Sequence, residues 1–176
     1  MFEALSRYRV VIVTGPHRAG HTICAHAIAH DTGLRYVDTD DYGGDLDAWK
    51  DVVARGRGVV VHSPGMARWV HEVAGHDDVL VIWMLRPLAQ ILVSEARINW
   101  SEKEEKAIYQ DIPGYKRQYH VSVNKLNYWR SYQHKHVHNW REVRYEELKA
   151  HPLWLPAEKR RHFGPRQWAL REVADA

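Results

Sequence analysis

The sequence has few of the features that stabilise secreted or membrane proteins. Its 176 residues include one cysteine, Cys24, so a disulfide cannot form within the chain and the fold depends on its core. No apolar run approaches the roughly 20 residues that a transmembrane helix requires. The N-terminal stretch MFEALSRYRVVIV puts charges directly before an apolar run, which fits neither a secretion signal nor a transit peptide. These absences predict a cytoplasmic protein that does not enter a membrane.

The composition is that of one globular domain over residues 1–176, with 45% hydrophobic and 27% charged residues. The formal net charge is +3, and the basic residues gather after Lys116. Such a surface favours an anionic ligand, either a small nucleotide or the phosphates of DNA. The chain has eight tryptophans, and we expect most of those in its second half to be in the core: Trp129, Trp140, Trp154 and Trp168.

Short β-branched runs alternate with helical segments along the chain. The pattern predicts an α/β three-layer sandwich around a parallel sheet of about five strands, in the order 2-3-1-4-5. The predicted strands are Arg9–Thr14, Leu34–Asp38, Gly58–His62, Val79–Leu85 and Glu142–Tyr145. The predicted helices are Thr22–His30, Leu46–Arg55, Met66–Val73, Leu88–Arg97 and Ser122–Lys135.

The stretch GPHRAGHT connects the first predicted strand to the first predicted helix. Its spacing is G-x-x-x-x-G-x-T, the pattern of a phosphate-binding loop (P-loop). Glycines permit the tight turn, successive backbone N–H groups surround an anion, and the helix points its positive end at it. The predicted ligand-binding positions are Gly15, Pro16, Ala19, Gly20, Thr22 and Ile23.

This loop lacks the lysine that usually precedes its final hydroxyl residue. His21 has that position, and a neutral imidazole cannot replace a permanent ammonium. Arg18 is the cation within the loop, and its forked guanidinium can hold two oxygens of a phosphate or sulfonate. We therefore expect Arg18 to contribute the catalytic positive charge.

The segment PHRAGHT resembles the 5′-phosphosulfate loop of sulfotransferases, P-[KR]-[SA]-G-T-[ST]. Arg18 matches the cation of that loop and Thr22 its hydroxyl, whereas His21 departs from the usual threonine. The resemblance continues at Arg86 and Ser94, which are similar to the pair that holds the 3′-phosphate of 3′-phosphoadenosine 5′-phosphosulfate, and in RYEEL at Arg144–Leu148. It implies a metal-free sulfuryl transfer from that donor to a hydroxyl group.

Other residues favour phosphoryl transfer from ATP with Mg²⁺. Arg86 and Arg97 are then candidates to clamp the phosphates, and Thr22 and Asp40 to support the metal. Asp38, Asp40 and Asp41 follow the second predicted strand, where small-molecule kinases often carry an acid. We predict Asp40 as the base that accepts the acceptor's proton, with His17 and His21 as rivals.

Two further features of the sequence give weaker predictions about structure and metal binding. The charged segment near residues 99–115 is predicted to form either a mobile lid or an exposed connecting helix. The thirteen histidines do not complete a recognisable zinc pattern with cysteine or carboxylate, so no dedicated metal site is predicted.

Three hypotheses therefore remain: a sulfotransferase-like enzyme, an ATP-dependent kinase, and a protein that binds nucleotide or nucleic acid without turnover. In the kinase hypothesis the acceptor is a nucleotide, a small molecule or a hydroxylated base in DNA. Fold alone does not choose between these chemistries.

Overall fold

Five parallel strands form the centre of the protein in a computed structural model that describes residues 1–155. Their spatial order is β2-β3-β1-β4-β5, which confirms the predicted order and the α/β sandwich. The strands are β1 Val10–Thr14, β2 Arg35–Val37, β3 Val59–His62, β4 Val79–Leu85 and β5 Asn139–Arg144.

Strand β1 lies between β3 and β4, and all five of its residues are buried. Ile12 is opposite Val61 on one side and Val81 on the other. A strand covered on both faces can be apolar throughout, which explains the continuous run VVIV. The carboxyl ends of β1, β3 and β4 meet at one edge of the sheet, where open α/β folds bind ligands.

Helices cover both faces of this sheet. They are α1 His21–Thr32, α2 Leu46–Arg55, α3 Val70–Val73, α4 Leu88–Ala96, α5 Lys103–Tyr109 and α6 Val121–Ser131. Ile28 of α1 packs in one core cluster, while Trp49 of α2 and Trp129 of α6 pack in the other. Trp129 stacks on Trp83 of β4, with ring centroids 4.6 Å apart and planes 5° from parallel.

Three predicted boundaries were wrong. The segment predicted as the helix Met66–Val73 contains the end of a 3₁₀ turn, Pro64–Met66, and the single turn of α3. Strand β5 begins at Asn139, because it pairs with β4 from Leu80 to Leu85. Helix α6 ends at Ser131, and Gln133 then uses its buried side chain to donate to two backbone carbonyls.

The aromatic residues of the second half divide between core and surface. Trp129 is buried, Trp154 is half-buried and Trp140 is 44% exposed, so the expectation of burial fails for Trp140. Trp168 lies outside the described residues. Among residues 1–155, no helix is both long enough and apolar enough to cross a bilayer.

Candidate active site

The loop between β1 and α1 has the backbone of an anion-binding turn. Gly15 and Gly20 have φ angles of 134° and 99°, in the region that favours glycine. Ala19 N–H donates to the carbonyl of Pro16, which closes the turn. Gly20 directly precedes α1, so the N–H groups of the first helical turn face the space above the loop.

Gly20 is required for a second reason, which is the side chain of Tyr145. A Cβ added at Gly20 would lie 2.6 Å from Cδ2 of the Tyr145 ring. Tyr145 follows β5 and is buried, so this ring holds the loop against the end of the sheet. Tyr145 is thus the residue of the RYEEL segment that contacts the loop.

We expect Gly20→Ala to destabilise the protein by about 2–4 kcal/mol, because it combines an unfavourable φ with a steric collision. Gly33→Ala is the matched control, since Gly33 has a φ of 73° but nothing within 4 Å of an added Cβ. It should cost only about 1 kcal/mol. Urea unfolding of both variants measures the difference, and equal losses would contradict a role for Tyr145 in seating the loop.

Arg18 is held in the loop by two side chains, Arg86 directly after β4 and Ser94 on α4. Its φ is 60°, which is uncommon for a residue other than glycine. Its Nε donates to Ser94 Oγ at 3.1 Å, and Arg86 Nη1 donates to its carbonyl at 2.7 Å. Within residues 1–155, neither Nη atom of Arg18 forms a hydrogen bond. The guanidinium is therefore held in place while both Nη groups can still bind a ligand.

Arg86 contacts the loop and the Tyr145 ring together. Its guanidinium carbon lies 3.9 Å from the centroid of that ring, within cation–π range. Arg86 and Ser94 thus meet Arg18 in one place. Both are bonded to the loop itself.

His21 begins α1 and is almost completely buried, with 4% of its surface exposed. Burial lowers the pKa of His21 well below its usual value, and the neighbouring basic groups, among them Lys125 and Arg18, lower it further. The imidazole is therefore neutral at pH 7. Its Nε2 has no hydrogen-bond partner among the described residues. A buried polar atom without a partner is costly, and an oxyanion at this helix start would satisfy it.

His62 connects the loop to the acidic segment after β2. It is the last residue of β3, and its Nε2 lies 3.3 Å from Thr22 Oγ1 while its Nδ1 lies 3.4 Å from Asp38 Oδ1. Burial opposes ionisation of Asp38, but hydrogen bonds from His62, Tyr36 and the Thr39 N–H hold its pKa below the usual value. An ionised Asp38 orients His62 Nδ1–H toward itself and leaves Nε2 as the acceptor for Thr22.

His17 makes a corresponding contact on the other side of the loop. Its Nδ1 lies 2.5 Å from Glu105 Oε1 on α5 and 3.2 Å from Lys125 Nζ on α6. Glu105 and Lys125 also form an ion pair, and the Lys125 side chain has no exposed surface. The described part of the chain therefore supplies a second histidine–carboxylate pair beside the loop.

These side chains enclose one pocket of about 200 Å³, together with Ile23 and Pro64. Arginines and histidines predominate in its lining: His17, Arg18, His21, His62 and Arg86. Among residues 1–155, carboxylates lie behind this lining and do not form part of it. A lining of this kind attracts anionic ligands.

The predicted site residues divide into three groups. Eight line the pocket: His17, Arg18, Gly20, His21, Thr22, Ile23, Arg86 and Ser94. Gly15, Pro16 and Ala19 form the buried base of the loop. Asp40 and Arg97 are exposed and lie outside the lining. Asp38, two residues before Asp40, is the carboxylate that reaches His62.

Three residues were not predicted from the sequence: His62, Glu105 and Lys125. His62 had a detectable signal, because it ends a predicted strand at the edge where parallel sheets bind ligands. Glu105 lies in a charge run that resembles a solvated surface, and Lys125 lies in a helix with no motif. Neither residue had a signal that connects it to the loop.

A second histidine cluster lies at the far end of α1, where His30, Asp31 and His151 bring their ligand atoms within 4.8 Å of one another. His151 Nδ1 accepts the Leu153 N–H, so its Nε2 carries the hydrogen that it donates to Asp31. Asp31 also accepts the Phe2 N–H. These hydrogen bonds join the segment after β5 to the start of the chain.

Comparison with known proteins gives few matches. No family model and no curated protein matches the chain. A sugar kinase from a Janibacter species is a similar solved structure, with a TM-score of 0.45 and 17% identity, covering 80% of this chain and 90% of that one. Shikimate kinase from Acinetobacter baumannii, in complex with shikimate, has a TM-score of 0.46 and 12% identity, covering 81% of this chain and 88% of that one. At these identities the likeness is one of fold: a central parallel sheet with a loop and helix after its first strand.

Proposed function

We propose that the protein is a P-loop phosphotransferase, which moves the terminal phosphoryl group of a nucleoside triphosphate such as ATP to a hydroxyl group. The main support is the convergence of Arg18, the buried Nε2 of His21 and the α1 N-terminus on one small pocket, whose lining within residues 1–155 contains no carboxylate. Preorganised donors of this kind stabilise the charge of a phosphoryl group during in-line transfer. Both solved structures described above are named kinases, although the proposal rests on the pocket.

Arg86 and Ser94 favour phosphoryl over sulfuryl transfer. In the sulfotransferase hypothesis they hold a separate 3′-phosphate on the donor. Here Arg86 donates to the Arg18 carbonyl and Ser94 accepts from Arg18 Nε. Their hydrogen bonds support the loop cation, so they act on the transferred group through Arg18.

The magnesium ion that accompanies ATP has one candidate ligand in the described pocket lining, the Thr22 hydroxyl at the start of α1. The Asp38 carboxylate lies behind His62, outside that lining, and would act on the ion through one of its waters. Oxygen ligands of this kind suit Mg²⁺, which usually keeps several of its waters. The ion would neutralise charge on the phosphates. His62, by accepting the hydrogen of the Thr22 hydroxyl, would leave the lone pairs of that oxygen to the ion.

Ligand-induced stabilisation tests the donor. At about a hundredfold excess over Kd, ATP with Mg²⁺ should stabilise the protein by about 2.7 kcal/mol, which raises Tm by ~5–10 °C. ATP without Mg²⁺ and adenosine 3′,5′-bisphosphate are the comparison ligands. Stabilisation by the bisphosphate alone would contradict phosphoryl transfer and restore the sulfotransferase hypothesis. Binding of ATP–Mg²⁺ without any release of phosphate would instead indicate a protein that binds nucleotide without turnover.

A further inference from the structure

Helices α5 and α6 bring two opposite charges to the phosphate-binding loop. Glu105 of α5 is 7% exposed, and the Lys125 side chain of α6 is fully buried. Charged side chains are rarely buried to this extent unless they are paired. Both contact His17, which is itself part of the loop and lines the pocket. Residues separated by about a hundred positions in sequence thus meet at one imidazole.

The short contact to Glu105 fixes the tautomer of His17. Nδ1 lies 2.5 Å from Glu105 Oε1, which as an ionised carboxylate only accepts, and 3.2 Å from Lys125 Nζ, which only donates. The shorter contact is the one to Glu105, so we assign the hydrogen to Nδ1. A neutral imidazole then has its lone pair on Nε2. The His17 side chain is 27% exposed, whereas Glu105 encloses its Nδ1 edge. The unprotonated nitrogen is therefore on the accessible side of the ring.

Lys125 is the partner of Glu105 in this cluster, and the two side chains form a buried ion pair. Burial lowers the pKa of Lys125 well below its usual value, and the negative charge of Glu95 opposes that shift. Burial lowers the pKa of His17, and the positive charge of Lys125 lowers it further. Both effects favour a neutral imidazole at pH 7, as a proton acceptor requires.

We infer that Glu105 is a positioning residue that makes His17 the proton acceptor of the transfer. This inference rests on the proposed function. As the acceptor oxygen bonds to the terminal phosphorus, the bond to the leaving nucleoside diphosphate breaks, and the acceptor's proton passes to His17 Nε2. Glu105 stabilises the resulting imidazolium, which later releases the proton to water. Glu105 lies on α5, within the segment near residues 99–115, so this segment contributes to the base through its packed position beside the loop.

The tautomer can be measured without any substrate. In the unmodified protein, nitrogen-edited NMR of the histidine rings at pH 7 should show His17 with hydrogen on Nδ1. The double variant Glu105→Leu/Lys125→Met removes the carboxylate and its counter-charge together, which is tolerated better than removing one partner. This double variant should move the hydrogen of the His17 ring from Nδ1 to Nε2. Glu104→Leu is the matched control, since Glu104 is exposed on the same helix.

Hydrolysis of ATP with Mg²⁺, in which water replaces the acceptor, gives the kinetic part of the test. The double variant should lower kcat by about 10²-fold with little change in KM, because general base catalysis acts on the chemical step. Glu104→Leu should match the unmodified protein. A wild-type His17 with hydrogen on Nε2, or a double variant with unchanged tautomer or unchanged kcat, would overturn the inference. If the proposed function itself is wrong, ATP–Mg²⁺ will not stabilise the unmodified protein. That result distinguishes its failure from failure of the inference about His17.

Discussion

Replacing Arg18 with alanine is expected to lower the rate of phosphoryl transfer by about 10²–10³-fold, which is the effect of removing one preorganised charge donor. Arg18 is the cation within the loop, and its Nη groups have no hydrogen bonds in the described residues. His21 cannot compensate, because burial keeps it neutral. Single-turnover transfer from ATP–Mg²⁺ measures the loss directly.

Three variants separate the charge of Arg18 from its backbone conformation. Arg18→Lys keeps a cation but loses the bidentate fork and the bond from Nε to Ser94, so it should recover only part of the rate. Arg18→Gly relieves the φ of 60° and should stabilise the fold by up to ~1 kcal/mol while remaining as inactive as alanine. Arg97→Ala, at an exposed arginine, should leave the rate unchanged. Full activity in Arg18→Ala would disprove the proposal that Arg18 takes the role of the lysine that this loop lacks.

The second large effect is expected at Lys125. Lys125→Met alone should destabilise the protein by about 3–5 kcal/mol, because it leaves the buried Glu105 carboxylate without its partner. The double variant Glu105→Leu/Lys125→Met should recover most of that loss, since two apolar side chains replace the pair. Guanidinium unfolding, with midpoints compared at constant m, measures each step of this cycle.

Lys103→Met is the control for that cycle, because Lys103 is an exposed lysine on α5. It should change the free energy of unfolding by no more than about 0.5 kcal/mol. A Lys125→Met variant as stable as this control would mean that Lys125 and Glu105 do not depend on each other, and it would weaken the inference about His17.

The sheet and the loop were predictable because local sequence determines them. Runs such as VVIV indicate strands covered on both faces, and Gly15 and Gly20 fall where a strand turns sharply into a helix. Arg86 and Ser94 were predicted to be near the ligand from their position after β4. The sheet order followed from the same pattern of strands and helices.

The parts that were missed depend on tertiary contacts. Glu105 belongs to the run SEKEEK, in which Ser101, Lys103 and Glu104 are exposed, and only the packing of α5 on α6 distinguishes it from them. Among the three aspartates after β2, sequence offered no basis to prefer Asp38, because His62 reaches it from another strand. Asp40 as the base remains a prediction, although its exposed position makes His17 the better proposal.

The stacked pair of Trp83 and Trp129 provides an intrinsic optical signal for the same region. Two indoles in face-to-face contact couple their electronic transitions, and this exciton coupling contributes to the near-ultraviolet circular dichroism. Trp129 lies one helical turn after Lys125 on α6, and Trp83 is fixed in β4. Spectra recorded during ligand titration therefore report, without any label, whether α6 keeps its position on the sheet.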